Sequence, residues 1–598
     1  MKQLIYVWCF LGLFSQVLLG QGTITYGGRG IKPYQVIASD QAKLKDTPDT
    51  LRDDSAMDGT GMDYNWYNMG RLMRQATLGV NFNDMKEFVK MTPEKWIDEQ
   101  LKVPSPNMLE KTLKDRKNWM DYVVGLGYDF KGDTVTIKSH DFQVAWFNHN
   151  LNNRTDYLKQ RLAQVFSQIF VISRESEFIY HHADGQATFY DLLLRNTTGN
   201  FKDLLLGISL HPSMGIYLSH LNNSKAIPER NLFPDENYAR EIMQLFTIGL
   251  HQLNIDGSLK LDTLGNPVPT YTQRDIKELA KVFTGLGPGK AGQFSKPDRP
   301  TFFGMDRWNI DFTYPMIMYE DWHEPGSKSF LNFTVPAGQK GMKDIEMAIN
   351  HIFLHPNVGP FIGKQLIQKL VTSNPSPAYI KKVAETFNDN GKGVRGDMAA
   401  VFKAILMHPE ARSCESLKYT SQGKLQEPLV RFFERIRNYK IIPDKNNRTY
   451  TSGVAVNQNI QDAKTVFNYY QPNYSPSGVL RSNNLLGPEF QLHNSSSSMD
   501  WARRTMSSDW LIYVHWSWYN FNKDFQQFYL LDLSEFNAYA NDPEALVNQF
   551  DKRFTRGRLT ERTRRLMKDV IVNTQNLNDK ITNSLGVLLL SPQFNILK

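Results

Sequence analysis

The sequence predicts a mainly α fold, a large multi-helix globule with minor β-hairpins. Three observations predict it. Hydrophobic residues make up 41% and charged residues 22% of the 598, a globular composition that excludes collagen, a coiled-coil rod and wholesale disorder. From Trp66 onward apolar residues recur with the helical period. Caps, prolines and glycines then frame the periodic segments.

The chain opens on a segment that reads as a secretory signal. Lys2 supplies a short positive region, Leu4 to Leu19 are apolar except for Gly12, Ser15 and Gln16, and Gly20 is a small residue before a cut. The stretch falls short of the roughly 20 apolar residues that a membrane span needs, so cleavage is expected over anchoring. The expected location is therefore secreted, extracellular or periplasmic, with no transmembrane span once the signal 1–20 is gone. Residues 21–65 are rich in Gly, Asp, Thr and Lys and read as an extended arm or linker. Residues 66–598 then read as one helical domain of one or two lobes. Cys9 leaves with the signal and Cys414 remains alone, so no internal disulfide is expected. Acceptors for N-linked glycan stand at Asn153, Asn196, Asn222, Asn332, Asn447, Asn473 and Asn494, and they would be used only in a eukaryotic secretory pathway.

The helices follow in order. Thr155 caps a predicted helix with Leu158, Leu162, Val165, Phe166, Ile169 and Phe170 along one stripe. Thr272 and Asp275 form a capping-box start to a helix that carries Ile276, Leu279, Ala280 and Phe283 and stops at Gly285. Ser376-Pro377 opens another that runs through Val383 to Phe387, with Gly391 beyond it. Gln426 to Tyr439 and Thr560 to Val570 give two more. Leu253 to Leu259, with Asp256-Gly257 at its centre, is the main hairpin signal.

The strongest local feature is Pro234 to Gly249, framed by Pro at its first turn and Gly at its end. At about 100° per residue, Asn237, Arg240, Glu241, Gln244 and Thr247 share one stripe, opposite Tyr238, Ile242, Leu245 and Phe246. Two readings stay open. The stripe is a surface or structural face whose polar groups pair along the helix, or it lines a cleft in which Glu236 or Glu241 is a base and Arg240 holds an anion. His211 joins the second reading as a candidate catalytic partner. In the structural reading the ion pairs of the stripe are expected to be buried.

Other patterns point more weakly to chemistry. His351 and His355 stand four apart, but no Glu follows His351 as a zinc helix of that kind requires. His323-Glu324 in a loop could pair acid and base, although a satisfied loop histidine fits as well. No metal or other cofactor is expected. With Lys+Arg at 69 and Asp+Glu at 61 the formal charge is only +8, which does not make a nucleic-acid binder. A basic run from Lys552 through Arg553, Arg556, Arg558, Arg562, Arg564 and Arg565 to Lys568 is a solvated face or, in an exported protein, a surface for an acidic polysaccharide or matrix. The aromatics Trp510, Tyr513, Trp516, Trp518, Tyr519 and Phe521 are core or a sugar-stacking surface.

Pro234 to Gly249 closely resembles the signature helix of the DUF1800 family, large and often exported proteins of unknown function, mostly bacterial. The resemblance runs from about Asn68 to the C-terminus. Arg74-Gln75-Ala76-Thr77-Leu78-Gly79 is similar to the family's Arg-x-Ala-x-Phe-Gly, with Leu78 in place of Phe. Gly199-Asn200-Phe201, His211 to Leu218, Thr270 to Gln273, Thr284-Gly285, Ser373 to Pro377 and Ser591 to Phe594 continue it, and Glu324 follows His323 where Asp is common. The resemblance implies no catalytic residues. Two functions are expected from the whole: a non-enzymatic secreted component that binds an extracellular polymer, matrix or partner protein, or a hydrolase-like enzyme built on Glu236, Arg240, Glu241 and His211.

Overall fold

The computed structural model describes residues 25–26, 34–35, 64–125, 140–152, 155–290, 310–413, 421–442, 457–506, 512–513 and 528–598. The signal-like segment, both cysteines, most of the arm and most of the aromatic run lie outside them. The fold is mainly α, with short antiparallel strand pairs such as Leu286–Gly287 with Ile317–Met318 and Lys328–Phe330 with Phe333–Val335. The chain divides into two compact units, one formed by residues 1–67, 499–511 and 531–595 and the other by 68–498, 512–530 and 596–598.

The larger unit is built around helix Tyr157–Ser167, in which every residue is buried. Its sequence predicts a single apolar stripe, but the helix is covered on all sides. Thr155 is not its cap. Asp156 holds that position without a side-chain bond, while the Thr155 carbonyl accepts from Gln100 Nε2 at 2.9 Å. A fully covered helix takes its polar side chains inside with it, so Gln160, Arg161 and Gln164 must find partners in the core. Helix Val358–Leu370 packs on Pro377–Asn388, and their approach is close because a Cβ at Gly363 would already stand 3.0 Å from Val383.

Local signals set several boundaries. Thr272 and Asp275 make the reciprocal capping box of helix Gln273–Val282. Ser376 caps Tyr379 N with Pro377 at the first helical position. Helices Pro428–Ile436 and Glu561–Asn573 fall within or beside their predicted spans, the second capped by Thr560. The hairpin turns at Gly257, with Leu253 bridging Leu259 and Asn254 N donating to Ser258 O at 2.8 Å.

In the smaller unit, helices Pro543–Phe550, Glu561–Asn573 and Leu577–Leu590 pack together. Here the basic run departs from both of its sequence readings. Arg553, Arg556, Arg558 and Arg564 are buried. Arg564 meets the buried Asp551 at 3.2 Å and Glu544 at 2.6 Å, and Arg553 meets Glu535 at 2.5 Å. Only Arg562 and Arg565 of the run are exposed. For Arg564 the physical reason lies in Asp551, an internal carboxylate that also accepts from Thr555 Oγ1 at 2.5 Å and Leu559 N at 3.1 Å and that Arg564 neutralises.

Candidate functional site

The signature segment is α-helical over Asn237–Gln244, shorter at both ends than its framing residues suggest. Pro234 and Asp235 precede it, and Glu236 takes the cap position. At the other end Phe246 N donates to Glu241 O at 3.1 Å and Ile248 N to Met243 O at 3.0 Å, so the last turn widens to five-residue bonds. The Thr247 hydroxyl donates to the Ile242 carbonyl and helps to spread it. Gly249 closes the segment at φ 70, against the Phe361 ring, where a Cβ would come within 2.6 Å. Tyr238, Ile242 and Phe246 are buried as their stripe predicts.

The polar stripe is less uniform. Glu236 and Arg240 pair at 3.3 Å with side chains 30% and 39% exposed, and Gln273 Nε2 donates to Glu236 at 2.5 Å. This pair lies at the surface, which corrects the expectation of buried ion pairs. Glu241 is the buried member at 5% exposure, and its Oε2 has no hydrogen-bond partner. Burial raises its carboxyl above the usual range, and Arg240 offsets that only in part. Beside it, Tyr217 and Tyr271 are each pushed up to about 12 by burial and by the Glu241 charge. The Tyr271 hydroxyl also donates to Gln244 at 3.2 Å. His211 stands apart from this group. Its Nδ1 accepts from Ser213 N at 3.1 Å and caps the short helix Pro212–Tyr217, its ring meets Phe189 edge-on, and burial lowers it to about 3. The structure thus gathers Glu236, Arg240 and Glu241 on one face, and gives His211 a capping bond elsewhere. Arg240→Ala is expected to change stability by no more than about 0.5 kcal/mol, since an exposed pair contributes little. Glu241→Gln should be neutral or mildly stabilising, because it removes a buried carboxylate with an unmet oxygen. Urea unfolding of both variants beside the wild type checks this, and a loss of several kcal/mol in either would contradict it.

A second polar centre escaped the sequence altogether. Glu427, fully buried, receives Gln168 Nε2 and also Gln458 Nε2 at 2.8 Å, and pairs with Arg161 at 3.3 Å and Lys424 at 3.8 Å. Lys424 in turn pairs with Glu489 at 2.8 Å. Lys369, 6% exposed, is the remaining cation. Its Nζ donates to Gln168 Oε1 at 2.9 Å and sits 4.7 Å from the centre of the Tyr470 ring, with no carboxylate in ion-pair contact among the described residues. Burial lowers it to about 8. Two narrow recesses flank this centre, one beside Gln168, Asn459 and Gln461 and one beside Lys369, Tyr470 and Glu489, each with room for about one water molecule.

Residues 71–596 match a family described as a protein of unknown function, DUF1800. The chain belongs to the DUF1800 family. No curated protein and no solved structure matches it. The segments that carry the DUF1800 resemblance act here as joints between distant parts of the chain. Arg74 pairs with the buried Glu434 at 3.1 Å, and a Cβ on Gly79 would meet the Glu434 backbone at 2.6 Å. Asn200 caps helix Phe201–Leu210 through its Oδ1 and donates from Nδ2 to Arg395 O at 2.7 Å. Asn374 exchanges two bonds with the Leu486 backbone. His323 is a satisfied loop histidine: Nδ1 bonds Thr284 O at 2.8 Å and Nε2 meets Asp344 at 3.0 Å, where Lys328 also lands at 2.5 Å. His351 bonds Leu331 O at 3.0 Å and stacks on Phe333, and among the described residues no group of His, Cys, Asp and Glu has metal-holding geometry. No helix among them is long and apolar enough to cross a membrane.

Proposed function

We propose that this DUF1800 protein is a secreted, non-enzymatic surface or matrix component that binds an extracellular polymer or partner protein through the open side of its signature helix. One observation carries the reading: Glu236, Arg240 and Gln273 make a half-exposed hydrogen-bonding surface beside the partly exposed Tyr271 and Gln244. Arginine, amide and carboxylate side by side suit the hydroxyls and carboxylates of an acidic polysaccharide, and a tyrosine face suits a sugar ring. The capping role of His211 and the structural bonds of the other DUF1800 segments also support binding over turnover. Export rests on the signal-like first twenty residues, and the acceptors Asn332, Asn473 and Asn494 are exposed for glycan in a host that adds it. The basic run adds little to such a surface, because its arginines are mostly internal.

The test is affinity electrophoresis of the mature protein in gels that hold polygalacturonate, alginate, heparin or an uncharged glucan. An acidic polymer should retard the wild type, and Arg240→Ala with Tyr271→Ala should weaken that retardation about tenfold at unchanged melting temperature. Equal mobility in every gel, or retardation that the double variant keeps, rejects the reading. The hydrolase alternative has one observation in its favour, the raised carboxyl of Glu241, which suits a general acid. Reducing ends released from any of these polymers, and lost in Glu241→Gln, would replace binding by that function.

A further inference from the structure

Lys328, Asp344 and His323 meet in a site closed to solvent, where they are 1%, 0% and 3% exposed. Lys328 opens the hairpin of Lys328–Phe330 with Phe333–Val335, Asp344 lies in the first turn of helix Gly341–Leu354, and His323 stands in the loop before the hairpin. Lys328 Nζ donates to Asp344 Oδ2 and to Glu324 O at 2.5 Å each, and is 3.2 Å from His323 Nε2. His323 Nε2 is in turn 3.0 Å from Asp344 Oδ2, so amine, imidazole and carboxyl touch pairwise. Gln339 Nε2 donates to the other carboxyl oxygen, Oδ1, at 3.2 Å.

The bonds of His323 count the protons in this site. Its Nδ1 lies 2.8 Å from the Thr284 carbonyl, which can only accept, so Nδ1 carries the ring hydrogen. Nε2 is then a bare acceptor facing Oδ2, and two bare acceptors do not stand 3.0 Å apart without a proton between them. A proton brought in from outside would bury an imidazolium beside the ammonium, two cations on one carboxylate. A proton taken from Lys328 leaves all three groups uncharged, which a site closed to solvent favours. The arrangement sets a free amine against a protonated carboxyl, and these are the two reactants of an amide.

We infer that Lys328 and Asp344 join in an isopeptide bond inside the folded chain, with His323 Nε2 as the proton carrier. Nζ attacks Cγ, and the carbonyl electron pair moves onto Oδ1, where the Gln339 amide donates to the oxyanion. Nε2 takes a proton from Nζ and passes it to the Oδ2 hydroxyl. The Cγ–Oδ2 bond breaks, Oδ2 leaves as water, and the pair on Oδ1 closes the amide carbonyl. Amine and carboxylic acid are consumed, and amide and one water result, with no change of oxidation state. In bulk water this condensation is unfavourable, but here the fold holds the reactants in contact and keeps solvent out. The bond ties the hairpin to helix Gly341–Leu354 in a segment, 323–344, that has no cysteine to do so. It does not rest on the signature-helix surface, and either can fail without the other.

Mass spectrometry of the purified full chain, denatured and digested with trypsin, tests it. Trypsin should fail to cut after Lys328 and should release that peptide joined to the one that carries Asp344, lighter than their sum by one water. Most of the wild-type chain should carry the link. Lys328→Arg keeps the cation but cannot form this amide, and its two peptides should appear separately at full mass. His323→Gln, with its circular dichroism unchanged, should join at least about a hundredfold more slowly in a cell-free translation time course. A wild-type chain that is cut at Lys328, with both peptides separate at full mass, overturns the inference and leaves a buried ion pair. A His323→Gln chain that joins as fast as wild type overturns the part given to His323.

Discussion

Glu427→Ala should remove about 3–5 kcal/mol of stability at neutral pH, the largest single-residue effect expected in the larger unit. The carboxylate is fully buried, and its removal strands Arg161 and Lys424 together with the amides of Gln168 and Gln458. Breaking one side of a buried pair leaves the full desolvation cost of the other. Burial alone would raise the Glu427 carboxyl, but Arg161, Lys424 and Lys369 overcome that and hold it down to about 2, against an ordinary 4.5. A depressed carboxyl stabilises the fold fully above its unfolded value, and that contribution is lost as pH falls through the folded one. Wild-type stability should therefore drop between pH 4.5 and 2, and the wild-type-minus-variant difference should shrink over that window. Urea unfolding at several pH values measures both. A variant within about 1 kcal/mol of wild type at pH 7 would mean that water already satisfies the cluster.

The sequence could reveal some of this and not the rest, for a physical reason. Thr272 with Asp275 and Ser376 with Pro377 were legible because a cap is made by residues three or fewer positions apart. The buried stripe of Tyr238, Ile242 and Phe246 was legible because helical period fixes a face. What lies behind that face is not encoded locally, so spacing could not separate a surface stripe, where Glu236 and Arg240 pair, from a buried or cleft-lining one. The basic run failed in the same way: charge density along the chain does not say that Asp551 will sit among those arginines. Nor could the Glu427 centre be seen, because its partner Gln168 lies 259 residues away and Lys369 meets Gln168 across 201. One weak signal existed. Helix Tyr157–Ser167 carries Gln160, Arg161 and Gln164 among apolar residues, and in a helix covered on every side those side chains require an internal polar partner.

Lys369→Met is expected to stabilise the protein at pH 7, opposite in sign to Glu427→Ala in the same cluster. Among the described residues Lys369 makes no ion-pair contact, and the charges of Glu427 and Glu489 offset its burial only in part, so below its folded value of about 8 the fold carries a poorly compensated ammonium. The unfolded chain binds that proton up to 10.5. Between those values the unfolded state holds more protons than the native one, so stability must rise with pH across the window. The rise that corresponds to this shift is about 3 kcal/mol, to order of magnitude. Methionine fills a similar volume with no charge and lacks that rise, so it should lead wild type by up to that amount at pH 7 and lose its lead toward pH 10.5. The buried tyrosines Tyr190, Tyr379 and Tyr470, raised by burial, pull stability down in the same alkaline range in both proteins. The wild-type-minus-Met difference cancels them, and it is the quantity to measure by urea unfolding at half-unit steps from pH 7 upward. A flat difference across the window would mean that Lys369 has a counter-ion in solution.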